Sequence, residues 1–338
     1  MSTAPLEIEA FAPDDERISA FTAVRRGTHP ADGSEAFAAR IRCLLAMRAG
    51  EPLARLSYLV REDLHAAPGI SGIVGHYEAL DDAAGVELLR HAQRQLAASG
   101  AVRVLGPMDG STWARYRLVV EAAGDPQPEP PFLTEPQNPP DYPAHFLAAG
   151  FTPVAEFESS IVRDLASPHP KAAEYAERLA SHGVTVQPLD LTHFAAELPA
   201  LHALSLRVFA ENLYYSPIDL ATFEAMYQPL RPLLDPELVR LARDREGRLI
   251  GFVFALPDLM SADGGRPTRV VLKTLATAPE ARGLGVGSYL GDEIRRLAHQ
   301  KGYRAVIHAL MHVANDSKKI SRHTAEVFRR YALYQWTP

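Results

Sequence analysis

A strand, a glycine-rich loop and a helix follow one another directly in residues 271–290, VLKTLATAPEARGLGVGSYL. The apolar start is typical of a buried strand, Pro279 marks a turn, and three glycines alternate in RGLGVG, residues 282–287. Such a loop lets backbone N–H groups turn outward, and the helix adds unpaired N–H groups and the positive end of its dipole. The order of elements therefore predicts a pyrophosphate site, to which Arg282 adds a cation.

Two familiar phosphate-binding patterns do not fit this loop. The dinucleotide fingerprint G-x-G-x-x-G fails on the spacing of the glycines, and the Gly-Lys-Ser/Thr of the P-loop is absent. The segment resembles the acyl-CoA loop of the GNAT superfamily of N-acetyltransferases, (R/Q)-x-x-G-x-(G/A), which Arg282, Gly285 and Gly287 match. A surface turn without a ligand is the alternative, but the strand before the loop and the helix and strand after it favour a site.

The first half of the chain repeats the pattern of the second half. A helix, a glycine and an apolar strand occur at residues 98–104 and again at 300–306, which predicts two fused copies of one unit, although many α/β proteins repeat this order. The resemblance then implies an α/β (α+β) fold of tandem GNAT-like domains, each a mixed, mostly antiparallel sheet flanked by helices. We predict a degenerate GNAT-like domain at 1–165 with a Pro-rich loop at 126–143, a connecting segment at 166–184, and an acetyltransferase domain at 185–338.

The two copies differ where the phosphate would bind. The second has PEARGLG at 279–285, whereas the first has LDDAAG at 80–85. Asp81 and Asp82 favour a helix N-terminus but repel a pyrophosphate that approaches the same N–H groups. We therefore expect the second copy alone to bind coenzyme A.

Composition excludes several classes of protein. The 338 residues suggest about two domains, and a net charge of −6 argues against a general nucleic-acid binder. The single cysteine, Cys43, excludes a disulfide framework and a Cys-rich metal site, and we expect no metal. No apolar stretch reaches 18 residues, and the acidic N-terminal sequence lacks an apolar signal core. We expect a cytoplasmic protein without a membrane partner.

The resemblance implies acetyl-CoA as the cofactor and assigns its contacts. In this family, backbone groups on the strand before the loop polarise the thioester, and the loop itself holds the pyrophosphate. Residues 315–318 are further candidates, although they also fit a helix N-cap. The expected contacts are Leu275, Ala276, Thr277, Arg282, Gly283, Leu284, Gly285, Val286, Gly287, Ser288, Asn315, Ser317 and Lys318.

The acid and base of the family are not at their usual places. The strand carries Lys273, either a cation for an acidic substrate or a solvated lysine, where the family often has a glutamate. His308 is a candidate base, since an ordinary histidine pKa of about 6.5 suits neutral pH; a hydrogen-bonded core histidine is the alternative. The family's acid is a tyrosine seven residues after an asparagine, but Arg322 follows Asn315 at that spacing. Tyr331 is the next candidate, or it packs the last strand.

Two groups of residues are candidates for the acceptor side. Glu211, Tyr214 and Tyr215 lie between two helical stretches, where the family covers its acceptor; a plain helix-end loop is equally consistent. A long loop region of the first half is rich in turn residues and aromatic groups and is expected to line a pocket for the acceptor or a regulatory ligand. A sheet cover or a dimer contact is its alternative. Its candidates are Trp113, Arg117, Asn138 and Tyr142.

The resemblance implies an acyl-CoA-dependent N-acyltransferase. An amine attacks acetyl-CoA directly in a ternary complex, since no cysteine lies near the loop to form a covalent intermediate. The acceptor is a small-molecule or peptide amine, and a homodimer is possible. The alternative is a non-catalytic protein of the same fold that senses acyl-CoA or another small ligand.

Overall fold

The computed structural model describes residues 4–26, 40–122, 129–314 and 325–338. Within these residues the chain forms strands and seven α-helices, joined by short 3-10 turns. The strands are β1 (Leu6–Phe11), β2 (Arg42–Arg48), β3 (Glu51–Arg61), β4 (Ser71–Ala79), β5 (Arg103–Gly106), β6 (Leu118–Ala122), β7 (Thr152–Val162), β8 (Thr185–Pro188), β9 (Val239–Arg243), β10 (Leu249–Pro257), β11 (Ala262–Asp263), β12 (Arg266–Pro267), β13 (Arg269–Thr277), β14 (Ala305–His312) and β15 (Ala325–Trp336). The helices are α1 (Ile18–Ala23), α2 (Asp82–Ala98), α3 (Tyr142–Ala148), α4 (Ala172–Ser181), α5 (Phe194–Phe209), α6 (Leu220–Tyr227) and α7 (Val286–Gln300).

One sheet runs through the whole molecule. Its strand order is β1-β2-β3-β4-β5-β15-β7-β14-β13-β10-β9-β8, and β6 pairs with β15 beside β5, while β11 and β12 form a separate ribbon. Among the described strands, β4 pairs with β5 and β13 with β14 in parallel, and the other pairs are antiparallel. The predicted fold class, a mixed and mostly antiparallel sheet flanked by helices in two copies, is confirmed.

The two copies share one supersecondary unit. In the first, β4 leads through α2 to the parallel strand β5; in the second, β13 leads through α7 to β14. Each helix buries an apolar face on its own sheet: Leu88 and Leu96 on α2, and Leu290 and Ile294 on α7, are fully buried. Each of these side chains contributes about 1.5–3 kcal/mol by leaving water.

The last strands of the two copies are exchanged. The C-terminal strand β15 pairs with β5 of the first copy, whereas β7, the last strand of the first copy, pairs with β14 of the second. The two exchanged strands also pair with each other along most of their length. A buried cluster with Phe157, Tyr214 and Tyr331 lies on this seam. The exchange therefore brings loops of the first copy to the sheet of the second.

Candidate functional site

A slot opens between β13 and β14 in the second copy. The two strands pair from Arg269 with Ala305 to Leu272 with His308, and the pairing stops there. Beyond that point β13 remains paired with β10 on its other edge, as far as Thr277. Backbone groups of residues 273–277 on the edge toward β14 are thus available to an extended ligand, because every strand edge carries donors and acceptors that need partners.

The predicted loop stands at the open end of this slot. Gly283 and Gly285 have φ of 88° and 87°, a conformation that favours glycine over residues with a side chain. Gly285 is the N-cap of α7, and no side chain caps the helix. The backbone N–H groups of the first turn are therefore left for a ligand, and exposed Arg282 makes no side-chain hydrogen bond or ion pair in the part of the chain that the structure describes.

The helix α4 packs against the glycine-rich loop, a contact that the sequence did not indicate. A Cβ atom on Gly285 would lie 2.4 Å from the ring of Tyr175, so the ring packs directly against the glycine. Arg178 donates from Nη1 to the carbonyl oxygen of Gly283 over 3.0 Å. The Pro-containing break at 166–170 and Gly183 after the helix favour a helix between them, but no local signal reveals that it docks on this loop.

His308, the candidate base, lies on β14 at the closed end of the slot. It is half-buried and stands opposite Leu272 on one side and Ser160 on the other. Burial lowers the pKa of its imidazole to about 4. The ring is therefore neutral at pH 7, and it is a weaker base than an ordinary histidine.

Tyr331, the candidate acid, is fully buried on β15. Its hydroxyl donates to the carboxylate of Glu135, and the hydroxyl of Ser159 lies 2.9 Å from the phenol oxygen. Ser159 in turn accepts from the backbone N–H of Leu310 on β14, at 3.0 Å. Burial and Glu135 hold the phenol pKa far above its ordinary value. The phenol keeps its proton and belongs to a hydrogen-bonded chain that ends at β14.

Glu135 is a buried acid that sequence reasoning missed. It lies in the described part of the Pro-rich loop, and its carboxylate also accepts from Arg329 at 2.6 Å. Burial raises the pKa of this carboxyl, although Tyr331 and Arg329 oppose the shift. The glutamate lies among prolines in TEPQNPP, residues 134–140, and nothing in that local pattern separates it from a solvated loop acid.

The loop of the second copy that carries the candidate acceptor residues is hydrogen-bonded to the first copy. Tyr215 accepts at its carbonyl from the N–H of His65 at 2.8 Å, and the N–H of Tyr214 donates to the carbonyl of His65 at 3.1 Å. Trp113 donates from its indole to the carbonyl of Ser216 at 2.9 Å and packs against the ring of Tyr215. The hydroxyl of Tyr215 is buried and has no hydrogen-bond partner among the described residues. Glu211 is exposed, and its Oε2 atom lies 3.6 Å from Nε2 of His65.

Arg117 reaches from the first copy to the slot of the second. Its Nη1 donates to the carbonyl of Leu310 on β14 at 2.9 Å. Its guanidinium lies 3.8 Å from the ring centre of Tyr116 and 3.9 Å from that of Phe157. Burial lowers the pKa of the guanidinium, which is still charged at neutral pH. Trp113, Arg117, Tyr214 and Tyr215 are thus the predicted substrate residues that the fold places where the two copies meet.

Asn138 and Tyr142 lie elsewhere, in a polar cavity of the first copy that Arg117 borders. Asn138 bonds the backbone of Val119 through both amide atoms, at 2.8 and 3.2 Å. The hydroxyl of Tyr142 donates to Glu78 at 2.7 Å and accepts from the N–H of Ala79. Both side chains therefore hold the loop against the sheet. Asn315, Ser317 and Lys318 lie outside the described residues.

The matching slot of the first copy is closed. The pairing of β4 with β5 stops at Ile73 and Leu105, but Met108 then donates to the carbonyl of Val74 at 2.7 Å. A Cβ atom on Gly75 would lie 2.2 Å from the carbonyl oxygen of Met108. The loop thus crosses the strand in contact with it and leaves no room for a pantetheine arm.

Comparisons with known proteins agree with this arrangement. Residues 200–326 match the model of the acetyltransferase (GNAT) family. No curated protein matches the chain. A GCN5-related glucosamine N-acetyltransferase region of a fungal multi-domain GH3 β-N-acetylglucosaminidase has 15% identity and a TM-score of 0.57; the match covers 99% of this chain but 38% of that one.

Two further solved structures match over nearly their whole length. A GCN5-related N-acetyltransferase from Sphaerobacter thermophilus has 15% identity and a TM-score of 0.54, covering 99% of this chain and 97% of that chain. A tandem GNAT protein from the clavulanic acid biosynthesis pathway has 14% identity and a TM-score of 0.55, covering 98% of each. The molecule has the tandem GNAT fold, and residues 200–326 of its second copy match the GNAT acetyltransferase family model. None of the described helices is both long and apolar enough to cross a membrane.

Proposed function

We propose that this protein transfers an acetyl group from acetyl-CoA to an amine, in one active site on the second copy. The observation that carries the proposal is the open slot between β13 and β14, which leads to an uncapped, glycine-rich helix N-terminus. Residues 282–288 bind the pyrophosphate, and the free edge of β13 at residues 275–277 binds the pantetheine arm. The first copy, with its closed slot, binds no coenzyme A and supplies part of the acceptor wall.

The chemistry is a direct displacement at the thioester. Backbone N–H groups of β13 stabilise the charge that develops on the carbonyl oxygen. The amine nitrogen bonds to the carbonyl carbon, the C–S bond breaks, and the sulfur leaves as a thiol with a proton from the amine. The wall formed by Trp113, Tyr214 and Tyr215 orients the acceptor.

A non-catalytic acyl-CoA sensor is the second candidate. The observations that favour it are the low pKa of His308 and the burial of Tyr331 against Glu135, since neither group is an efficient proton carrier at pH 7. A sensor needs to bind coenzyme A but does not need to transfer a proton.

Calorimetry with acetyl-CoA tests the site. We expect one molecule bound per chain, and at least a tenfold loss of affinity in Arg282→Glu and in Gly285→Glu, because each puts a carboxylate beside the pyrophosphate. Arg94→Glu makes the same charge change as Arg282→Glu, at an exposed side chain of α2 in the first copy, and is the matched control. Unchanged affinity in both loop variants would contradict the proposed site.

Release of free thiol over a panel of amines then separates the two functions. Turnover of any amine that is lost in Arg282→Glu supports the transferase. Tight binding without turnover of any amine supports the sensor.

A further inference from the structure

Arg117 is a buried cation without a carboxylate. Its residue is 7% exposed, and the guanidinium lies between two aromatic rings. In the part of the chain that the structure describes, its hydrogen bond is to the neutral carbonyl of Leu310, and it forms no ion pair. A buried charge is costly unless an opposite charge compensates it, and stacking on aromatic rings compensates only part of that cost.

Lys273 is a second cation nearby, on the opposite wall of the slot. It is the first residue of β13 after the parallel pairing ends, at a bulge opposite Phe254 and Ala255 of β10. Its side chain is exposed and makes no hydrogen bond or ion pair to the described residues. The surrounding protein and the charge of Arg117 lower the pKa of its amine to about 8.

Leu310, which Arg117 contacts, stands on β14 two residues after His308, where the pairing also ends. Its φ of 57° belongs to the left-handed region, and this turn directs its carbonyl to the guanidinium. Both cations therefore stand at the closed end of the slot, one on each side. They repel each other, and each gains if an anion lies between them.

From this geometry we propose that Arg117 and Lys273 bind a carboxylate carried by one of the two reactants, and so set the substrate class of the enzyme. The inference rests on the proposed function, since a pantetheine arm that starts at the loop ends beside these residues. Two sources of the carboxylate fit: an acceptor such as an amino acid, or an acyl group that itself ends in a carboxylate.

Matched pairs of reactants distinguish the two sources. Acceptors are compared at fixed acetyl-CoA in pairs that differ by a carboxylate: glycine with methylamine, β-alanine with ethylamine, and lysine with cadaverine. Acyl groups are compared by calorimetry of succinyl-CoA against acetyl-CoA. We expect a preference of about 10- to 100-fold for the carboxylate in one of the two comparisons, which corresponds to hydrogen bonds with a charged group.

Variants assign the preference to the two cations. Arg117→Gln and Lys273→Gln are expected to lose most of it, while Arg117→Lys and Lys273→Arg keep part of it. Arg115→Gln is the control, because that guanidinium lies in the same loop but already pairs with Asp109 at 2.9 Å. Unchanged affinity for acetyl-CoA in each variant shows that the slot is still formed.

The pH dependence adds a readout that a merely structural role would not move. Lys273 attracts an anion only when protonated, so affinity for the carboxylate falls as the pH rises through about 8 and above. Arg117 remains charged throughout, and His308 stays neutral, because its pKa is about 4. In Lys273→Arg, the affinity for the carboxylate is expected to stay constant as the pH rises through this range.

Two outcomes overturn the inference. One is normal acetyl-CoA binding with no carboxylate preference in either comparison. The other is a preference that survives in both Arg117→Gln and Lys273→Gln. If the unaltered protein fails to bind acetyl-CoA, the proposed function falls as well, so the two failures are distinct.

Discussion

The amino ends of α2 and α7 occupy equivalent places in the two copies, but they are completed in opposite ways. At α2, Asp81 caps the helix by accepting from the N–H of Ala84 at 2.8 Å. Arg26 then bonds to the carboxylates of Asp82 and Asp141. At α7 no side chain caps the helix, and Arg282 extends into solvent. One helix end is neutralised by the protein, and the other is left for an anion.

The slots beside these two helices differ in the same way, since one is filled by the protein and the other is open. The slot after β4 is filled by Met108, which is fully buried, whereas β13 is unpaired with β14 from Lys273 onward and Lys273 is exposed. A helix terminus therefore does not by itself identify a binding site on this scaffold. We propose that the open strand edge next to the helix makes the distinction, since protein groups satisfy the equivalent positions of the first copy.

The largest expected contrast comes from one glycine in each copy. A Cβ atom on Gly85 would lie 2.7 Å from Ala79 Cβ and 2.3 Å from Tyr77 Oη, so Gly85→Ala forces a collision. We expect it to lower the free energy of unfolding by about 1–3 kcal/mol and to leave acetyl-CoA affinity unchanged. A Cβ atom on Gly283 meets no protein atom within 4 Å. It would stand in the loop that we propose binds the pyrophosphate.

The matched variant Gly283→Ala is therefore expected to weaken acetyl-CoA binding by about tenfold or more, while its φ of 88° costs roughly 1–2 kcal/mol of stability. Thermal or urea unfolding and calorimetry measure the two effects separately. The comparison of the copies fails if the affinity loss appears in Gly85→Ala and is absent in Gly283→Ala.

Local sequence was enough to predict the glycine-rich loop, the helix that follows it and the contrasting helix end of the first copy. The glycine-rich loop before it and the glycine after it predicted a helix following the loop, and that helix spans Val286–Gln300. The paired aspartates of the first copy predicted a helix end unfavourable to phosphate, because a carboxylate near an N-terminus acts through the first turn alone. These inferences depend on residues within about one helical turn of each other.

The sequence could not predict which strands pair across the two copies. Nothing in the apolar strand Ala325–Trp336 shows that it pairs with β5 of the first copy, since many partner strands satisfy the same pattern. Arg117 contacts Leu310, 193 positions away, only because of that exchange of strands. The closure of the first slot by Met108 likewise depends on the path of a loop, which composition does not determine. The catalytic roles of His308 and Tyr331 stay predictions.

A carboxylate placed at the amino end of α7 tests whether a protein side chain can take the place of the anionic ligand there. Ser288 is the third residue of the helix, so Ser288→Asp is expected to stabilise the fold by about 0.3–1 kcal/mol. The same carboxylate repels the pyrophosphate, and acetyl-CoA affinity is expected to fall about tenfold at low salt and less at high salt. Ser288→Asn, neutral and of similar shape, is expected to show neither effect. A loss of affinity equal in both variants would point to shape rather than charge.

The reverse change in the first copy has the smallest expected effect. Asp81→Ala removes the cap of α2 and is expected to cost about 1 kcal/mol of unfolding free energy, while Asp81→Ser retains a capping oxygen and costs less. Removing this carboxylate makes the helix end more favourable to anions, but Met108 still fills the slot that a pantetheine arm needs. Calorimetry is therefore expected to give one acetyl-CoA per chain in Asp81→Ala, as in the unaltered protein. A second bound molecule would mean that charge at the helix end, and not the closed strand edge, keeps coenzyme A out of the first copy.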